Sequence, residues 1–168
     1  MIRQPSFGEF PFFAALALLL VLSGLLIRFL ASLASMELRK HAFVLDELTS
    51  QLLPRKNFLQ TFARICVWNV LVSLIVICSG AITLGILPMV WAFFNLGLFF
   101  PDVNLFKLYL YPWIEEAANI LSVALGIWIG QTLYVFSGSF PIFAWITIII
   151  SSLYVISALL EAFEIHQL

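Results

Sequence analysis

The chain is 168 residues long, 63% hydrophobic and 10% charged, with a formal net charge of −1 and a mean hydropathy of +1.10. A soluble domain of this length cannot hide so much apolar surface, so the composition excludes a water-soluble globule and points to an integral membrane protein. The charge balance, with no basic tail, zinc-ligand spacing or glycine-rich phosphate loop, excludes nucleic acid as an expected partner.

The N-terminal stretch MIRQPSFGEFPFFAALALLLVLSGLL resembles a signal peptide at first sight. Its apolar run is too long for one, and no small-x-small cleavage site leads into a soluble domain. It reads as a retained first span, from about Phe12 to Ser35, opened by Pro11. Arg28 lies toward the end of that span. There its side chain either reaches the headgroups or pairs with a carboxylate elsewhere in the bundle.

Residues 36–60 differ in character. Leu38, Leu45, Leu48 and Leu52 recur at steps of seven, three and four, with His41 in the gap. That spacing predicts an amphipathic helix, ended by Pro54, whose seam lies on the membrane surface or docks a partner protein. Cys66 and Cys78 follow. They are twelve residues apart on one predicted helix, hence about 18 Å apart, too far to form a disulfide. They read as small apolar fillers.

The second hydrophobic region, about Phe62 to Phe100, is too long for one span and short for two, and Gly80, Gly85 and Pro88 punctuate it. It predicts a tight helical hairpin, roughly 63–83 and 86–100. The second arm is near the lower length limit for a crossing, or else re-entrant and covered by other helices. A loop, PDVNLFKLYLY, leads to a span from about Trp113 to Phe136. The turn SGSFP then leads to a last span over about 141–163. The predicted fold is all-α: a single-domain polytopic membrane bundle of about five transmembrane helices, or four plus a re-entrant arm.

Charge orients it. Six of the eight basic residues, Arg28, Arg39, Lys40, Arg55, Lys56 and Arg64, lie in or beside residues 36–64. The positive-inside rule puts that segment in the cytoplasm. Five spans then place the N-terminus outside and the C-terminus inside, whereas a re-entrant arm moves the C-terminus outside.

Polar side chains in hydrocarbon are costly, so those in or near the spans are the functional candidates. They are Asn69, Asn95, Glu115, Glu116, Asn119, Gln131 and Glu161. Glu115 and Asn119 are four apart and Glu116 and Asn119 three apart, which places them on one side of a helix. The helix start also favours negative charge. Gly126 and Gly130 form a small-xxx-small pattern that lets another helix approach closely. One reading makes the polar residues caps and interhelical hydrogen bonds. The other makes them an ion- or proton-accessible site, or a docking point for another subunit. No serine or cysteine nucleophile motif is present. His41 and His166 fall outside the predicted spans and read as interfacial, so neither an enzyme nor a resident cofactor is expected.

The stretch NVLVSLIVICSGAITLGILPMVWAFFNLGLF resembles the core of the stage II sporulation protein M family, which has five spans. That family's asparagine, glycine-rich region and asparagine–glycine pair match Asn69, Gly80, Gly85, Asn95 and Gly97, with the pair loosened to Asn-Leu-Gly. VISALLEAF, carrying Glu161, is similar to the family's last span. Where the family has Pro-His-Gly leading to a glutamate, this chain reads YPWIEEAANIL. The His-Gly is absent, and Glu115 or Glu116 matches the glutamate. The resemblance covers roughly residues 60–165. It implies a non-enzymatic bacterial membrane protein. In spore formers the family is linked to peptidoglycan remodelling at the septum; elsewhere, membrane organisation and transport are both suggested.

The expectation is therefore a scaffold or accessory subunit of a larger membrane complex, in a bacterial inner or other energy-transducing membrane. Its partners would be the lipid bilayer and other membrane subunits. The alternatives are a transporter or channel component with an intramembrane carboxylate site, and a small subunit of a photosynthetic or respiratory complex.

Overall fold

The computed structural model describes residues 9–33, 57–98, 109–132 and 140–167. The amphipathic seam of Leu38, His41, Leu45, Leu48 and Leu52 lies outside them. Every regular element among the described residues is helical. The elements are α1 (Phe10–Leu33), α2 (Phe58–Thr83), α3 (Ile86–Trp91, continued by a π-helical turn over Ala92–Leu98), α4 (Tyr111–Thr132) and α5 (Phe140–Gln167). Among the described residues, three stretches are long and apolar enough to cross a membrane: Phe10–Ala31, Phe58–Thr83 and Ile142–His166. The protein is thus an all-helical membrane bundle.

The pattern of burial fits a lipid surround. On α2 the buried residues are Thr61, Ile65, Asn69, Ser73, Val76 and Gly80, one seam at helical spacing. Most of that seam is polar or small. The opposite face, with Val67, Leu71, Leu74, Ile75 and Ile82, is exposed and apolar. A helix that turns its aliphatic side chains outward and its hydroxyls and glycine inward is arranged for lipid, where small residues and interhelical hydrogen bonds hold neighbours together. On α1 the same logic buries Ala17 and Val21 and exposes Leu19, Leu22, Leu26, Phe29 and Leu30.

α2 starts at Asn57, whose side chain accepts the Leu59 N–H at 3.0 Å. It ends where Leu84 (φ 53°) and Gly85 (φ 84°) turn left-handed, and the Gly85 N–H returns to the Gly80 carbonyl at 2.9 Å. Thr83 serves both sides of this break. Its hydroxyl donates to the Ser79 carbonyl at 2.7 Å and accepts the Leu87 N–H at 3.0 Å. α3 therefore begins with one of its free amides satisfied.

α4 is the hub, packed against α1, α2, α3 and α5. Ser122 through Trp128 are buried without interruption, so this stretch has no outward face. Trp128 sits between the rings of Phe10 and Phe143, with centroids 5.6 and 4.7 Å away. α4 is not among the three most apolar stretches. A helix surrounded by protein rather than lipid does not need an apolar exterior.

Contacts fix the helix directions. Ser73 meets Ser122, and Gly80 meets Gly126 further along, so α2 and α4 run the same way. Tyr154 meets Asn119 while Ser157 meets Tyr111, so α5 runs against α4. Phe10 lies at Trp128, near the far end of α4, and Gly97 lies against Val21 and Gly24. α1 and α3 accordingly run opposite to α2. The starts of α2 and α4 share one end of the bundle with the finish of α5.

Candidate functional site

At that end, α2, α4 and α5 enclose a polar interior. Asn69 and Ser73 stand one turn apart on the buried seam of α2. Asn119 and Ser122 project from α4, and Tyr154 and Ser157 from α5. The Tyr154 hydroxyl donates to Asn119 Oδ1 at 2.7 Å. Ser122 donates to the Ala118 carbonyl at 2.8 Å, and Ser73 Oγ lies 2.8 Å from Ser122 Oγ. With the Ser122 proton committed to Ala118, Ser73 must be the donor to Ser122. Ser157 donates to the Tyr111 carbonyl at 3.1 Å, tying α5 to the first turn of α4. Every one of these hydroxyl protons is used, so none remains to give to a carboxylate.

The carboxylates lie along the same helices, closer to the end. Glu116 is hydrogen-bonded to Asn119. Because Asn119 Oδ1 already accepts from Tyr154, the Asn119 amide N–H is the donor to Glu116. The second oxygen of Glu116, Oε1, is buried and has no partner. Glu115 is within electrostatic reach of both Glu116 and Glu161. Glu164 adds a further carboxylate near Tyr111 and Glu161, and its Oε2 is likewise buried without a partner. On α2, Asn69 Nδ2 is a buried donor without an acceptor. The arrangement therefore holds orphan acceptors on two helices and an orphan donor on a third. Among the described residues, no group of three His, Cys, Asp or Glu is placed to hold a metal ion.

Of the residues singled out in the sequence, Asn69, Glu115, Glu116, Asn119 and Glu161 gather in this end of the bundle. Two do not. Gln131 lies at the opposite end, where its side-chain N–H caps the Leu84 carbonyl left open by the α2–α3 break, at 2.8 Å. Asn95 is half-buried on the π-helical turn, which packs chiefly on α1. Ser73, Ser122, Tyr154 and Ser157 belong to the interior although no motif marks them. The only trace in the sequence is their helical spacing to Asn69, Asn119 and Glu161.

The glycines have a defined role. Cβ atoms on Gly80 and Gly130 would collide with the backbone of Gly126 and with Gly80 and Gly85 respectively. On Gly126 a Cβ would stand 2.9 Å from Pro88 Cγ and 3.0 Å from the Val76 carbonyl. The α4 backbone thus rests directly on the α2–α3 break. Gly126 and Gly130 form the contact surface, and Gly80 and Gly85 are its other half. Cys66 and Cys78 are both free; Cys66 is half-buried against the Ile65, Ala158 and Ala162 cluster, and Cys78 is exposed.

His166, in the last turn of α5, meets Thr61 at 3.2 Å through Nε2. Thr61 already donates to the Asn57 carbonyl at 3.1 Å, so the histidine is the donor here. Comparison with protein-family models, with curated proteins and with solved structures finds no match.

Proposed function

We propose that this chain is a non-enzymatic scaffold or accessory subunit of a larger membrane complex, crossing the bilayer five times. The observation that carries the functional part is the position of α4. It touches every other described helix and is seated backbone to backbone on the α2–α3 break. A carrier that alternates access needs two bodies that rock about a central site. A hub helix packed into all its neighbours leaves no seam along which the bundle divides. The resemblance to the sporulation protein M family points the same way.

The five-span reading is supported by helix direction. α3 starts where α2 ends and heads toward the end where α4 begins, so it makes progress across the bilayer instead of returning to its own side. With the basic segment 36–64 in the cytoplasm, the C-terminus is cytoplasmic and the N-terminus is not. The membrane is then a bacterial inner membrane or another energy-transducing one. The docking element is the amphipathic segment, through Leu38, Leu45, Leu48 and Leu52, with His41 in the gap of that pattern.

The test is purification of the tagged full chain in a gentle detergent, followed by size exclusion and mass spectrometry. The expected outcome is a partner at fixed ratio that is lost from the Leu45→Asp/Leu48→Asp variant. A stable, functional monomer, or a partner retained equally by that variant, overturns the proposal.

A further inference from the structure

The orphan polar atoms at the carboxylate end carry an inference that goes beyond the scaffold reading and stands without it. Glu116 receives one hydrogen bond, from Asn119, and its other oxygen is buried with nothing to bond. A carboxylate in that state is poorly stabilised in a membrane interior, because a buried charge needs a countercharge or a full set of donors. The neighbouring hydroxyls cannot help, since their protons are already given away.

Across the interface, Asn69 is 8% exposed, so more than nine-tenths buried. Its register on α2, one turn before Ser73, sets it level with Ala118, between Glu115 and Ser122. The α2 seam is enclosed there by α4 and α5, with Ile65 packed on Ala158 and Ala162 one turn away. An amide with no acceptor therefore stands in the same interior as a carboxylate oxygen with no donor. No hydrogen bond joins them. A water held between them would satisfy both at once, donating to the carboxylate and accepting from the amide.

We propose that Glu116 is a proton-binding site, reached by water from the end of the bundle that carries Tyr111 and Glu161, with Asn69 holding that water from the opposite helix. The bound species is a proton taken up by the carboxylate as a carboxylic acid, with no other bond made or broken. The charged and titratable groups around it are Glu115 and Tyr111 on α4 and Tyr154, Glu161 and Glu164 on α5. The facing seam of α2 supplies only neutral polar groups near it, Asn69 and Ser73. Among the described residues, the basic groups toward this end are Arg28 on α1, half-buried, and Arg64 on α2 and His166 on α5, both exposed.

Infrared spectroscopy of the full chain in lipid nanodiscs tests this. The expected result is a carboxylic-acid C=O band near neutral pH that is lost in Glu116→Gln and shifts on transfer to D2O. In Asn69→Leu the band is expected to remain while its exchange with D2O is lost. Four results overturn the proposal. One is the absence of any such band. Another is a band lost in Glu115→Gln but kept in Glu116→Gln. A third is a band that does not exchange in the wild-type chain. The fourth is a band abolished by NaCl at constant pH, which would make the ligand a metal cation instead. Unchanged exchange in a folded Asn69→Leu overturns the role of the amide. The wild-type and Glu116→Gln spectra decide the site even if Asn69→Leu fails to fold.

Discussion

The Ser73–Ser122 contact is a hydrogen bond between two residues that sequence inspection passes over. A serine in an apolar helix satisfies its own hydroxyl by bonding back to the preceding turn, as Ser122 does to Ala118. It therefore adds little polarity and reads as filler. Asn69, Asn119 and the glutamates have no such local outlet, which is why they were legible as candidates and the hydroxyls were not. A double-mutant cycle on Ser73→Ala and Ser122→Ala should give a coupling of about 0.6 kcal/mol, the usual value for such bonds between membrane helices. Reversible unfolding in mixed micelles measures it, and zero coupling would mean that the two hydroxyls do not meet. Replacing Glu115 and Glu116 together by glutamine should disturb assembly more than replacing Cys66 and Cys78 by alanine. Co-purification yield compares the two pairs directly, and equal loss would remove any special standing from the carboxylates.

Among the helices, the α2–α3 break was visible in advance because glycine and proline punctuate it. Gly80, Gly85 and Pro88 predicted a turn after residue 83, and α2 does end at Thr83. Helix limits were less visible. α1 starts at Phe10, two residues earlier than expected, because proline is tolerated in a first turn whose amides have no helical partner anyway. α5 continues to Gln167, past the expected limit at about residue 163, with the His166–Thr61 contact joining its last turn to the start of α2. The pairing of Gly126 and Gly130 with Gly80 and Gly85 was not legible either. A small-xxx-small pattern shows where a helix can be approached, not which helix approaches. Two substitutions test that pairing. Gly126→Ala should cost about 1–3 kcal/mol, as overpacking does, because Pro88 and the Val76 carbonyl lie 2.9 and 3.0 Å from the added atom. Cys78→Ala, on the exposed face of the same α2 segment, should stay within about 0.5 kcal/mol of the parent. Thermal unfolding of both variants in one detergent makes the comparison.

For the molecule as a whole, composition established the solvent before any element was located. What it could not show is that the least apolar long helix would be the innermost one. Hydropathy measures tolerance of lipid, and α4 meets mostly protein. The helix directions make a topological prediction. In a chain with Cys66 and Cys78 replaced by alanine, single cysteines at Asn57 and His166 should react with an impermeant maleimide from the same side of the membrane. One at Glu9 should react from the other side. Labelling of Glu9→Cys and His166→Cys from a common side would remove one crossing and restore the re-entrant arm.

The glycine contact between α4 and the α2–α3 break also sets an order of events during synthesis. α3 and its π-helical turn are short and irregular, and backbone of that kind persists in a bilayer only when other protein covers it. The π-helical turn rests on α1, already made, but the start of α3 is covered by the Gly126–Gly130 stretch, which leaves the ribosome after α3 does. α3 is therefore seated late, and until α4 arrives the nascent chain carries an unfinished arm. A chain stopped at residue 110 should reach the membrane and be degraded there, whereas supplying residues 109–168 as a separate polypeptide should rescue it.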